Sequence, residues 1–277
     1  MSSSITEIEK LTKNELHTLK LVYKFRFVTS SLIAEYKGLN SKRSVNLTLS
    51  QLQRKGLLVR KFESSYKLIH RSAEYYLSPR GLRLLRYTAK DLNRRALSVM
   101  LRNNLRGENF IKKQLLVFKI YLVLRVVIKG SPEIYTQMEM VGLDHLPKPS
   151  PDLYYRAPKN SSESTSDFFL STLSDVEPFV VKKIVRAYLN HFRSEQWQKE
   201  EARNYPTILI CCQDESLKKR AMKLSNSLLM DAYFEGLTIL FATIADLLDR
   251  TDNSTSTIWC SASHPDQTIS LPNTSFL

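Results

Sequence analysis

At 277 residues the chain is too long for one small core and suits two domains. Its 43% hydrophobic and 25% charged content excludes wholesale disorder, and only three cysteines, Cys211, Cys212 and Cys260, exclude a disulfide framework and fit a reducing compartment. The net charge of +14 is unevenly placed: residues 1–113 carry 24 Lys and Arg against 8 Asp and Glu, whereas residues 114–277 carry 17 against 19. That asymmetry points to a polyanion held by the N-terminal part, with nucleic acid ahead of membrane because no basic segment carries a large apolar face. The opening MSSSITEIEK has no basic stretch followed by an apolar core, so no signal peptide is expected. The longest apolar run, residues 115–128, is interrupted by Lys119 and Arg125 and is too short to cross a bilayer. A cytoplasmic protein without a membrane partner is expected.

In chain order, Thr12 and Glu15 form a capping-box pattern that starts a first helix through about Tyr23. Thr29 caps a second helix that Gly38 closes. Residues 41–59, SKRSVNLTLSQLQRKGLLV, then read as a helix, a glycine stop and a strand. With about 100° per residue, Val45, Leu49 and Leu52 share one side of that helix, and Arg43, Asn46, Ser50 and Arg54 lie roughly opposite. One face packs and the other is free to touch an anion. Leu47 also points partly toward the polar face, toward either a thymine methyl or a neighbouring helix. Two β-like runs, 57–62 and 73–77, flank a basic tip with Lys67, His70 and Arg71, and Ser78-Pro79 starts another helix. The sequence therefore predicts a winged helix-turn-helix over residues 10–89. Arg43, Asn46, Ser50 and Arg54 would face the major groove, and Lys42, Lys67 and Arg71 would meet phosphates.

Residues 90–128 read as a mainly helical connector broken near Arg106-Gly107. Over residues 129–260, strands are expected at 134–140, 153–156, 168–172, 207–212, 237–243 and 257–260, with helices at 178–201 and 215–233. This alternation predicts an α/β domain with a mixed sheet whose last strands are parallel. Residues 160–166 read as a loop between strands, and residues 261–277 as a loose tail.

No two of the five histidines stand at metal-ligand spacing with each other or with a cysteine, and no phosphate-cradling glycine motif occurs. No cofactor and no metal are expected. Cys211 and Cys212 lie in an apolar run and read as core residues, and Trp197 and Trp259 as packing or interface residues.

GLLVR at residues 56–60, YYLSPRGLRLL at 75–85, SPDLYYR at 150–156, FFL at 168–170 and KKIVRAY at 182–188 occur in an order that resembles the replication-relaxation family over roughly residues 10–260. The resemblance implies a mobile-element or plasmid protein in which a winged helix-turn-helix precedes a domain related to the PD-(D/E)xK nuclease fold. That nuclease chemistry needs two carboxylates on adjacent strands and a lysine near the attacked phosphorus. The resemblance makes Asp152 the first carboxylate and Lys182 or Lys183 the charge partner. Ser171, Thr172 and Leu173 occupy the place of the second carboxylate, with Asp175 and Glu177 beyond it. Asp152, Lys182 and Lys183 are thus vestigial candidates, and no catalytic residue is expected.

The expected function is sequence-specific binding of double-stranded DNA in replication, relaxation or transcriptional control of a mobile element, with an inactive nuclease-like domain. The alternatives are an active metal-dependent endonuclease using Asp152, and an interaction module of a replication or transfer complex. A homodimer on paired half-sites is a candidate assembly.

Overall fold

The computed structural model describes residues 11–64, 66, 71–88, 94–128, 133–156, 167–174, 176–230, 234–249, 258–262 and 267–269. The chain forms two compact units, Met1–Leu122 and Val123–Leu277.

The first unit opens with α1 (Lys13–Phe25), α2 (Ser30–Tyr36) and α3 (Arg43–Arg54). The capping box at α1 is complete: Glu15 donates its N–H to Thr12 Oγ1, and Thr12 donates its N–H to the Glu15 carboxylate. Thr29 caps α2 by accepting the Leu32 N–H. Gly38 and Gly56 both take positive φ, +64° and +68°, where a side chain would be strained. Strands β1 (Leu58–Lys61) and β2 (Glu74–Leu77) pair antiparallel, with Leu58 opposite Leu77. Val28, between α1 and α2, adds an antiparallel bridge to Tyr75. Leu19, Val22, Ile33, Leu49, Leu52 and Leu77 form the interior between these elements.

Helices α4 (Pro79–Thr88), α5 (Arg94–Asn103) and α6 (Glu108–Val127) follow, and the break between the last two, residues 104–107, takes in the break expected near Arg106-Gly107. Helix α6 crosses the boundary between the units. Its apolar residues are not confined to one stripe, and Ile111, Phe118, Ile120, Tyr121, Leu122 and Leu124 are all buried. Phe118 stacks on Phe25 of α1 with ring centroids 3.7 Å apart.

The second unit is a seven-stranded mixed sheet in sequential order: β3 (Glu133–Thr136), β4 (Leu153–Arg156), β5 (Phe168–Leu173), β6 (Thr207–Cys212), β7 (Ile239–Thr243), β8 (Trp259–Ser261) and β9 (Thr268–Ile269). The parallel pairings are β5 with β6 and β6 with β7, in the middle of the sheet, and every other pairing is antiparallel. The expectation of parallel last strands is corrected: β8 and β9 fold back antiparallel. Thr268 and Ile269 pair with Cys260 and Trp259, so this part of the expected tail belongs to the sheet. The expected strand 134–140 ends at Thr136. The Glu139 and Met140 N–H groups fold back onto the Thr136 carbonyl, and the Glu139 carboxylate takes the Thr136 N–H.

Helix α7 (Pro178–Arg193) connects β5 to β6 and α9 (Glu215–Leu229) connects β6 to β7. Two successive right-handed crossovers in one direction place both helices on one face, where Val185, Tyr188, Leu189, Ala221 and Met222 join Phe169, Ile208, Ile210 and Phe241 in a single core. The opposite-facing Leu153, Phe168, Leu170, Leu209 and Leu240 are buried as well, which explains the near-continuous apolar runs of β5 to β7. The expected helix 178–201 is broken. Glu195 takes φ +53°, and a separate α8 (Gln196–Glu201) begins after it. The turn delivers Trp197 into the core, fully buried, with its Nε1–H donating to the Asn204 carbonyl at 3.0 Å. The short helix α10 (Ile244–Leu248) follows β7, and the residues expected to form the 160–166 loop lie outside the described set.

Candidate nucleic-acid interface

Helix α3 divides along the line its sequence sets. Val45, Thr48, Leu49 and Leu52 are buried, while Lys42, Arg43, Asn46, Gln51 and Arg54 are exposed and Ser50 is half-buried. Leu47 lies within the polar face and is 60% exposed.

Polar bonds from the neighbouring helices fix how α3 presents that face. Asn14 of α1 donates from Nδ2 to Thr48 Oγ1 at 3.0 Å and accepts from Lys37 Nζ at 2.6 Å, so one side chain ties α1, the end of α2 and α3 together. Burial holds the Lys37 ammonium below its usual pKa. Lys55, at the end of α3, pairs with the buried Glu15 of α1 at 2.6 Å. Burial alone would raise the Glu15 pKa, but the bonds from Lys55 and Thr12 outweigh it, and the carboxyl lies below its usual range.

The basic tip is only partly as expected. Lys67 and His70 lie outside the described residues. Arg71 is engaged inside the protein: it pairs with the fully buried Glu74 of β2 at 2.6 Å and with Glu108 of α6 at 3.1 Å, and its guanidinium stacks 4.3 Å from the Tyr66 ring. The Glu74 spacing three residues on was the signal for this pairing in the sequence.

The vestigial candidates do not come together. Asp152 precedes β4 and is 3% exposed. Its Oδ2 accepts from the Thr172 N–H at 2.7 Å and from Thr172 Oγ1 at 2.8 Å, and its Oδ1 accepts from Gln137 Nε2 at 3.1 Å. Thr172, one of the residues standing at the place expected for a second carboxylate, thus meets Asp152. Lys182 and Lys183 are exposed on α7, away from the buried face carrying Val181, Val185 and Tyr188. The α7 residue that reaches β5 is Tyr188, whose hydroxyl lies 2.7 Å from Ser171 Oγ. Burial raises the Tyr188 pKa and keeps the phenol neutral. Glu177 is exposed before α7, and Asp175 lies outside the described residues. Among the described residues no three His, Cys, Asp or Glu side chains gather where they could share an ion. With its oxygens engaged by Thr172 and Gln137, Asp152 does not fit a divalent cation.

Burial raises the Cys211 thiol well above its usual pKa and pushes Cys212 up to about 12, so both stay protonated core groups. His191 donates its Nε2–H to the His145 carbonyl at 2.7 Å, which leaves Nδ1 to accept from the Tyr205 hydroxyl at 2.8 Å. That bonding makes His191 a link between segments. Among the described residues no helix is long and apolar enough to cross a membrane.

Compared with known proteins, the chain matches the replication-relaxation family model over residues 19–203. The chain belongs to the replication-relaxation family. No curated protein and no solved structure matches it. The replication-relaxation match starts inside α1 and ends just beyond α8, so it takes in α3, the β1–β2 pair, Asp152, Thr172 and Tyr188 and leaves out β6 to β9. It is narrower than the 10–260 span expected from the sequence motifs.

Proposed function

We propose that this replication-relaxation chain is a sequence-specific duplex-DNA-binding protein serving replication, relaxation or transcriptional control of a plasmid or other mobile element. The carrying observation is the exposed face of α3, where Arg43, Asn46, Ser50 and Arg54 project from a helix whose other side is locked into the fold. Arg pairs with guanine and Asn with adenine in the major groove, so the face holds groups suited to base edges. The order α1, Val28 bridge, α2, α3, β1, β2 supports a winged helix-turn-helix, in which α3 is the reading helix. Lys42, at the start of α3, is the phosphate contact of this reading among the described residues, with Lys67, outside them, as a second; Arg71, already paired with Glu74 and Glu108, is left out of it. The charge of residues 1–113 supports a polyanionic ligand.

For the second unit we propose an inactive nuclease-like domain. The order α6, β3, β4, β5, α7, β6 places Asp152 and Thr172 side by side on β4 and β5, and the engaged Asp152 carboxylate favours a structural role. Nicking of supercoiled plasmid in Mg²⁺ or Mn²⁺ that disappears in Asp152→Ala would overturn this assignment.

Titration against duplex DNA between 50 and 200 mM salt tests the binding reading. With about six phosphates neutralised, affinity falls by about 10³ across that range. A flat response contradicts duplex binding and favours a protein-interaction module.

A further inference from the structure

We infer that the outer side of α7 and α9, in the second unit, binds the phosphate backbone of duplex DNA through Lys183, Arg186, Lys219, Arg220 and Lys223. The inference rests on the chain being a DNA-binding protein, not on α3 as its reader. The near balance of charge over residues 114–277 hides a segregation. Helices α7 and α9 hold 8 of those 17 Lys and Arg and 1 of those 19 Asp and Glu, against 9 and 18 for the remainder. Cations are gathered on two elements that stand side by side.

The inner sides of the two helices fix where these cations point. Val181, Val185 and Tyr188 of α7 and Leu217 and Ala221 of α9 are buried in one core, on one face of the sheet, and the helices touch each other. At about 100° per residue, Lys183 and Arg186 lie on the side of α7 turned away from that core, and Lys219, Arg220 and Lys223 do so on α9. All five are exposed. Because both helices run parallel over neighbouring parallel strands, their outer sides form one surface, ~10 Å from axis to axis.

Elsewhere in this unit cations are matched: Lys148, Arg156, Lys199 and Arg203 reach the carboxylates of Asp144, Glu201, Glu195 and Asp167. The one acidic residue of α9, Glu215, pairs with the mostly buried Lys218 at 2.9 Å, and α7 has none. Among the described residues no carboxylate pairs with any of the five outer cations. Like charges one turn apart work against a helix, so a partner that brings negative charge stabilises this surface. A protein interface needs an apolar centre and a membrane surface needs an apolar face. Between the cations stand Asn190, Ser216 and Asn226 instead, which suit phosphate oxygens. Phe179 alone is an exposed aromatic ring on this side, too few for the stacked bases of a single strand. Lys183 to Arg186 rises about 4.5 Å and Lys219 to Lys223 about 6 Å along the axes. A DNA strand presents a phosphate every ~3.4 Å of duplex axis, so each pair spans two of them. The contact adds affinity without reading bases.

The test titrates the full chain between 50 and 200 mM salt with a duplex selected from a random library, an unrelated duplex and a single strand of the same length. In Lys183→Gln/Arg186→Gln and in Lys219→Gln/Lys223→Gln, affinity for both duplexes falls by similar factors. The slope of log affinity against log salt shrinks by about 1.8 in each, or ~0.9 per lost phosphate contact. Lys219→Arg/Lys223→Arg keeps the wild-type slope. So does Lys148→Gln/Lys199→Gln, which removes the same charge from paired positions on other elements. A wild-type slope in either glutamine pair on α7 or α9, an equal loss in Lys148→Gln/Lys199→Gln, or a loss confined to the single strand overturns the inference and leaves α3 as the reader. Flat salt dependence in the wild type overturns the DNA reading and this surface together.

Discussion

Asp152 spends its carboxylate on the Thr172 N–H, the Thr172 hydroxyl and Gln137, and its own N–H on the Leu170 carbonyl, so it stitches the start of β4 to β5. Asp152→Ala strands a buried N–H and is expected to cost about 1–3 kcal/mol, read by urea unfolding, while duplex affinity stays at the wild-type value. Unchanged stability would contradict the structural role. Gly81 is the second residue with no freedom: Gly81→Ala drives a methyl into the Leu57 carbonyl, and a loss of about 1–3 kcal/mol or more is expected in thermal unfolding. In the sequence Asp152 reads as a turn residue after Pro151 or as half of a metal site. Its partner Thr172 is twenty residues away and becomes visible only once β4 and β5 are paired. The pairing of Arg71 is hidden for the opposite reason, since Glu74 stands close by but its complete burial cannot be read from sequence.

At the scale of elements, α3 is held by α1 at its middle, through Asn14 to Thr48, and at its C-terminal end, through Glu15 to Lys55. The Glu15 carboxyl has a folded pKa below its unfolded value of about 4.3. Its contribution is therefore fully present above the unfolded value and is lost as pH falls through the folded one. Thermal unfolding of Glu15→Gln is expected to depend less on pH below about 4.3 than that of the wild type; identical pH profiles would show that the pair does not support α3. Helix starts were legible because caps are local: Thr12 with Glu15, Thr29, and Ser78 before Pro79 all stand where their side chains act. The break between α7 and α8 was hidden, because Glu195 enters the left-handed region with no glycine or proline to announce it. Tertiary packing of Trp197 accompanies that turn, and no local pattern encodes it. The antiparallel return of β8 and β9 was hidden likewise, since strand direction depends on connections that the local sequence pattern does not specify.

For the molecule as a whole, the division of charge is the feature that sequence alone displayed most fully. Residues 1–113 carry the excess of cations and contain α3 and the β1–β2 pair. The second unit carries no such excess; its interior is apolar, with its tyrosines, cysteines and Asp152 engaged or shielded. Membership of the replication-relaxation family rests on a match that spans both parts, from α1 to the end of α8. Recognition by the first unit and scaffolding by the second are the proposed division of roles. The most direct measurement is the affinity of the full chain for a duplex selected from a random library, relative to an unrelated duplex, in the wild type and in Arg43→Glu/Arg54→Glu. If α3 reads bases, the wild type prefers the selected duplex and the variant shows no preference; a variant that keeps the wild-type ratio would contradict α3 as the reading element.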